Sequence, residues 1–120
     1  MQKHILIVDD EAEIRNTLTE VLAFHGYRIT AVASALEAEK AVADQAPDLV
    51  ISDLQLEHSD GLTMIEQLKK KMPGTKILLL TGVYFEPDVV RNVLAQTVDA
   101  YLYKTTPLKE IIATVKKLIG

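Results

Sequence analysis

The chain has 120 residues, which suits one domain and is enough to close a hydrophobic core without disulfide or metal staples. With 48% hydrophobic and 25% charged residues and a formal charge of −4, it has the balance of a soluble globule and lacks the basic surplus of a nucleic-acid binder. The absence of cysteine removes disulfides, thiolate metal sites and cysteine nucleophiles together, and no stretch resembles a signal peptide or a membrane span, so a cytoplasmic domain with no membrane partner is expected.

Ile5 to Val8 is a short apolar run that stops at Asp9 and Asp10. The period then becomes helical from Glu11 to Phe24, with Ile14, Leu18, Val21 and Leu22 on one face, Asp10 in the N-cap region and Gly26 where a left-handed C-terminal residue belongs. His4 precedes the first strand and His25 ends the helix, and neither suggests a site. Tyr27 to Val32 alternates and reads as a second, less buried strand. Ser34 with Glu37 makes a capping box before a weakly amphipathic helix carrying Leu36, Ala38 and Val42.

Pro47 disfavours helix for the residue before it, and Leu49 to Ile51 reads as a strand buried on both faces that delivers Asp53 to its end. Leu62, Ile65, Leu68 and Met72 give a third helical face, closed by Lys69, Lys70 and Lys71 at the negative end of the helix dipole and by Pro73-Gly74. Ile77 to Leu80 is another buried strand, ending at Thr81-Gly82. Pro87 opens a fourth helix with Val90, Val93 and Leu94 facing in, Val98 to Tyr103 is the fifth strand, and Pro107 opens a strongly amphipathic last helix from Leu108 to Ile119. Strands alternating with helices predict an α/β fold over residues 1–120: a five-stranded parallel sheet, order 2-1-3-4-5, covered on both faces. An output domain, if one exists, would lie beyond Gly120.

In such a sheet the carboxyl ends of the strands share one edge, and the first and third strands flank the switch point where ligands bind. That edge collects Asp9, Asp10 and Asp53, with Thr81 and Lys104 from the next strands. Helix capping needs only one of the adjacent acids, and three carboxylates without a cation raise one another's pKa, so a divalent ion is the simpler reading. The all-oxygen donor set favours Mg²⁺ or Mn²⁺ over Zn²⁺. Thr81 could be a strand-end β-former and Lys104 a solvated lysine, but Gly82 leaves a main-chain N–H open to an anion, and the whole set has the parts for phosphoryl transfer with Asp53 as nucleophile.

Ile7-Val8-Asp9-Asp10-Glu11, Asp53 with Asp60-Gly61 after it, Leu80-Thr81-Gly82 and Tyr101-Leu102-Tyr103-Lys104 together closely resemble the receiver domain of two-component response regulators, over the whole chain. The resemblance implies a flavodoxin-like, chemotaxis-regulator-like fold and a signalling module, not an enzyme beyond weak phosphoryl transfer and autodephosphorylation. Asp53 would accept a phosphoryl group from a histidine kinase, a phosphotransfer protein or a small phosphodonor. Asp10, Asp53 and the main-chain carbonyl of Gln55 would bind Mg²⁺, with Asp9 acting mostly through water. Thr81 and Lys104 would hold phosphoryl oxygens, and Thr81 with Tyr101 would form a switch that rearranges the surface of the fourth helix, fifth strand and fifth helix. That surface would meet a downstream partner or a fused output domain, with a homodimer among the assemblies the resemblance allows.

Three positions depart from the family pattern. Leu56 is followed by Glu57 and not proline, which places an acid near the kinase-facing surface. Thr105 follows Lys104 where a cis proline is usual, so that bond is either trans with the loop repositioned or cis at a cost of about 3–4 kcal/mol. Tyr84-Phe85 either packs under its loop or offers an aromatic contact to a partner, and His58, after Asp53, reads as a solvated loop histidine. Three other functions compete, the most distant being a flavodoxin-like cofactor binder, whose phosphate Asp9-Asp10-Glu11 would repel unless a metal intervened. A metal-dependent aspartyl phosphatase needs a general acid two residues after the nucleophile, where Gln55 cannot shuttle protons. A degenerate, phosphate-independent interaction domain would have lost an acid, Thr81 or Lys104, and none is lost.

Overall fold

The structure is a computed structural model and describes residues 2–56, 59–82, 86, 88 and 95–120, with Ser59 and Asp60 described by their backbone alone. Strands β1 (His4–Val8), β2 (Arg28–Val32), β3 (Leu49–Ser52), β6 (Lys76–Thr81) and β7 (Ala100–Tyr103) form one parallel sheet in the order β2-β1-β3-β6-β7. This is the predicted 2-1-3-4-5 order once a small hairpin, β4 (Gln55–Leu56) with β5 (Ser59–Asp60), is set aside. The helices are α1 (Ala12–Phe24), α2 (Ala35–Asp44), α3 (Gly61–Lys71), the three-residue α4 (Ala95–Thr97) and α5 (Leu108–Ile119). The residues predicted to open and pack the fourth helix, Pro87, Val90, Val93 and Leu94, lie outside the described residues, as do Glu57, His58, Tyr84 and Phe85.

The apolar runs are continuous because the central strands are covered on both sides. Ile5, Ile7, Leu49, Ile51, Leu78 and Leu80 pack with Leu18 and Leu22 of α1 and with Ile111 and Val115 of α5. The alternate residues, Leu6, Val8, Val50, Ile77 and Leu79, pack with Ala38 of α2 and with Met64, Ile65 and Leu68 of α3. In register, Ile7 lies beside Ile51 and Val8 beside Ser52, so Asp9 and Asp53 leave neighbouring strands at the same level. Edge strand β2 is only partly buried, as its alternation predicts.

Local chemistry sets the ends. Gly26 takes φ 92°, its N–H bonds to the Ala23 carbonyl at 3.0 Å, and the Tyr27 N–H returns to Leu22 at 3.2 Å, which completes a Schellman stop for α1. Ser34 Oγ accepts the Glu37 N–H at 3.2 Å, while the Glu37 carboxylate reaches back to the Ala33 N–H at 2.9 Å.

Several expectations need correction. The N-cap of α1 is Glu11 and not Asp10, and the Asp9 carboxylate accepts the Glu11 N–H at 2.9 Å. His4 is the buried first residue of β1, with Nε2 2.8 Å from Thr30 Oγ1. Leu36 is 62% exposed, so α2 packs chiefly through Ala38. On α3 the buried face is Met64, Ile65 and Leu68, with Met72 packed partly buried against the core, whereas Leu62, which was assigned to that face, is only half-buried. Among the described residues no peptide bond is cis, so Lys104–Thr105 is trans. No described helix is long and apolar enough to cross a membrane.

Candidate functional site at the carboxyl edge of the sheet

The ends of β1, β3, β6 and β7 open onto a cleft of about 440 Å³ lined by Asp10, Glu11, Asp53, Gln55, Leu56, Gly82 and Lys104. At its floor, Lys104 Nζ lies 2.8 Å from Asp53 Oδ2, 3.0 Å from Asp9 Oδ2 and 2.5 Å from Glu11 Oε2. Asp9 and Asp53 are buried, so each needs compensation that water does not supply. Asp53 also accepts the Gln55 N–H on Oδ1 at 3.1 Å, a donor aimed by the turn into β4. Asp9 accepts the Glu11 N–H, and its main-chain carbonyl accepts a hydrogen bond from Arg15 Nη1 at 2.7 Å.

Burial pushes the Asp9 carboxyl above its ordinary range and the nearby Asp53 charge adds to this, although the Glu11 N–H and Lys104 pull the other way. For Lys104, burial alone would lower the pKa, but the Asp53, Glu11 and Asp9 carboxylates outweigh it and raise it, so the side chain stays an ammonium. Among the described residues, no three carboxylate or imidazole groups are arranged as ligands about one point. Between Asp9 and Asp53 lies the Lys104 ammonium.

Gly61 was part of a recognised pattern without a physical reason, and the packing supplies one. A β-carbon there would lie 2.5 Å from the Leu54 carbonyl oxygen and 2.7 Å from that of Asp53. The Gly61 N–H bonds to the Leu54 carbonyl at 3.1 Å, so the start of α3 is seated against the backbone that carries Asp53. At Gly82 an added β-carbon would meet, among the described residues, only Lys104 Cδ, at 4.0 Å.

Of the predicted residues, Asp9, Asp53 and Lys104 are in direct contact, and Asp10, Gln55 and Gly82 line the same cleft. Thr81 ends β6 fully buried, and its main-chain carbonyl accepts the Lys104 N–H at 2.8 Å. Tyr101 is half-buried one strand over, packs against the core on the α2 and α3 side, and meets Tyr103 edge-on with ring centroids 6.1 Å apart. Glu11 was read only as part of a motif, yet it is one of the three carboxylates on Lys104. The trans Lys104–Thr105 bond does not keep Lys104 from Asp53.

A doubly covered parallel sheet with an acidic cleft and a half-buried lysine at its switch point defines a receiver-type α/β domain. A family model described as "Response regulator receiver domain" matches residues 5–116, and the chain belongs to that family. It is 32% identical to the response regulator MprA of Mycobacterium sp. (strain KMS) over 99% of this chain and 51% of that protein. It is 34% identical to the response regulator protein VraR of Staphylococcus aureus over 94% of this chain and 54% of that one. The chain thus spans about half the length of these curated relatives, at 51% and 54%. Among solved structures, response regulator protein TrrA of Thermotoga maritima, determined in complex with Mg²⁺ and BeF, superposes with a TM-score of 0.85 at 34% identity, covering 98% of this chain and 99% of that one. A CheY-like receiver domain protein from Methanospirillum hungatei JF-1 gives 0.89 at 28% identity, covering 98% and 93%.

Proposed function

We propose that this receiver domain is a phosphorylation-controlled module of a two-component or phosphorelay system in the cytoplasm, and that Asp53 is its phosphoacceptor. The observation that carries the reading is the state of Asp53: it ends a buried strand at the floor of an open cleft, with one oxygen on Lys104 and the other on the Gln55 N–H. Those contacts orient the carboxylate, and the cleft leaves room for a phosphodonor.

In the proposed reaction an Asp53 oxygen attacks phosphorus, a P–O bond to Asp53 forms, and the bond from phosphorus to the donor's histidine nitrogen breaks, with the histidine keeping the electron pair and taking up a proton. With acetyl phosphate the leaving group is acetate. The Lys104 ammonium would neutralise charge on the transferred group, and Gly82, which lines the same cleft, would offer it a main-chain N–H. Asp10, Asp53 and the Gln55 carbonyl, with Asp9 mostly through water, would make an all-oxygen set suited to Mg²⁺ or Mn²⁺, which would supply further charge neutralisation. Thr81, now buried, would turn its hydroxyl toward the phosphoryl group while Tyr101 follows inward, changing the surface of the fourth helix, β7 and α5 for a downstream partner. TrrA, bound to Mg²⁺ and BeF, supports the choice of ion and of ligand class.

Intact-mass measurement after treatment with acetyl phosphate and Mg²⁺ tests this. One phosphoryl adduct on the wild type and none on Asp53→Asn is expected. An unmodified wild type under both small-donor and kinase conditions would favour a phosphate-independent interaction domain.

A further inference from the structure

A single ammonium is shared by three carboxylates, and the proposed cation needs two of them. Lys104 Nζ bonds Asp53, Asp9 and Glu11, and the side chains of Asp9 and Asp53 are only 4% and 6% exposed against 57% for Glu11. Any divalent ion taking up Asp9 and Asp53 must loosen the contacts that Lys104 makes with them. A half-buried ammonium left with no carboxylate loses the interactions that offset its desolvation.

We infer that Glu11 is a positioning residue that retains Lys104 when a divalent cation claims Asp9 and Asp53. The backbone of Glu11 is fixed for that task. Its N–H is held by Asp9 Oδ1 at 2.9 Å, and its carbonyl accepts the Arg15 N–H at 3.1 Å as the first bond of α1. The carboxylate is thus presented over Lys104 by the end of a helix rather than by a loose loop. Glu11 stands outside the proposed ligand set, so it remains available when the ion arrives. Lys104 then swings on a short tether, keeps its charge and stays within reach of a phosphoryl oxygen on Asp53. Without Glu11 the ammonium has, among the described residues, only the ion's own ligands as ion-pair partners, and it competes for them.

This inference rests on reading the cleft as a divalent-cation site, and its test separates the two. Mg²⁺ binding is measured by titration calorimetry on the full chain for wild type, Glu11→Gln, Lys104→Met and the double variant, with Lys104→Gln substituted if Lys104→Met does not fold. Glu11→Gln is expected to weaken Mg²⁺ binding by about tenfold when Lys104 is present, as for residues coupled by direct contact. In the Lys104→Met background the same change should cost only about twofold, the effect of one exposed, solvent-screened charge. Equal factors in both backgrounds would overturn the positioning role and leave Glu11 as a diffuse charge. A wild type that binds no Mg²⁺ would overturn the cation-site reading itself, and the inference with it.

Discussion

At the amino edge of the sheet the Asp99 carboxylate accepts the Ile77 N–H at 2.8 Å and Lys69 Nζ at 3.2 Å, with Lys76 at 3.9 Å, so two cations and an amide serve one acid. At the same edge Thr75 Oγ1 donates to the Pro47 carbonyl at 2.7 Å and Asp48 accepts the His4 N–H at 2.8 Å. At the carboxyl edge the ratio is reversed, with Asp9, Glu11 and Asp53 sharing one ammonium beside an open cleft. The first arrangement closes strands and loops and leaves little to do. The second holds an excess of negative charge that a cation or phosphoryl chemistry would use. The same residue types are structural where partners suffice and reactive where they do not.

The sharpest way to break this contrast is to remove the shared cation. Lys104→Ala should slow adduct formation from acetyl phosphate by about 10²-fold, the scale seen when one preorganised donor to developing charge is lost. The same protein should lose stability in metal-free buffer, because three carboxylates then face one another, and regain part of it on adding Mg²⁺. Urea melts with and without the ion check the second half. A Lys104→Ala protein as stable as wild type in metal-free buffer would show that the carboxyl edge carries no real charge excess.

Next comes Gly61→Ala, which places a β-carbon against the Leu54 and Asp53 carbonyls and should cost about 2–3 kcal/mol in denaturant melts while displacing the Asp53 backbone. Gly82→Ala, with Lys104 Cδ at 4.0 Å as its one contact among the described residues, should stay within about 0.5 kcal/mol. An effect smaller than that of Gly61→Ala belongs to the amino edge. Asp99→Ala removes the acceptor for Lys69 and Ile77 and should cost about 1–2 kcal/mol, with the rate of phosphoryl adduct formation unchanged.

Much of this contrast can be read before any fold is known. Ile5 to Val8, Leu49 to Ile51 and Ile77 to Leu80 are too short for helices and unbroken by polar residues, which is what burial on both faces of a parallel sheet demands. Once they are parallel neighbours, Asp9 and Asp53 must meet. The β4–β5 hairpin was not legible because strands of two residues carry no period. Leu36 and Met64 were misjudged because their helix faces depend on a rotation that only the packed partners define. The reason for Gly61 lies in a backbone approach from Leu54, and the pairing of Glu11 with Lys104 spans 93 residues, so both depend on tertiary contacts. His4 looked like a lead-in to β1 because a polar side chain masks a buried strand position.

A pH-dependent effect concerns that histidine and refines the picture of the amino edge as fully satisfied. His4 Nε2 is bonded to Thr30 Oγ1, but Nδ1 is buried with no partner among the described residues. Burial first, then the charge of Arg28, hold the His4 pKa below its ordinary 6.5, against the pull of Asp48. Because the folded-state value is depressed, the unfolded chain takes up the proton first. The contribution of neutral His4 is therefore whole above pH 6.5 and is lost as the pH falls from there through the lower folded value. Urea midpoints taken from neutral pH down to mildly acidic pH should fall more steeply for wild type than for His4→Gln, which keeps a polar group near Thr30 but cannot titrate. Parallel profiles for the two proteins would mean that the cost of charging His4 is met elsewhere, and the amino edge would then hold no strained polar group at all.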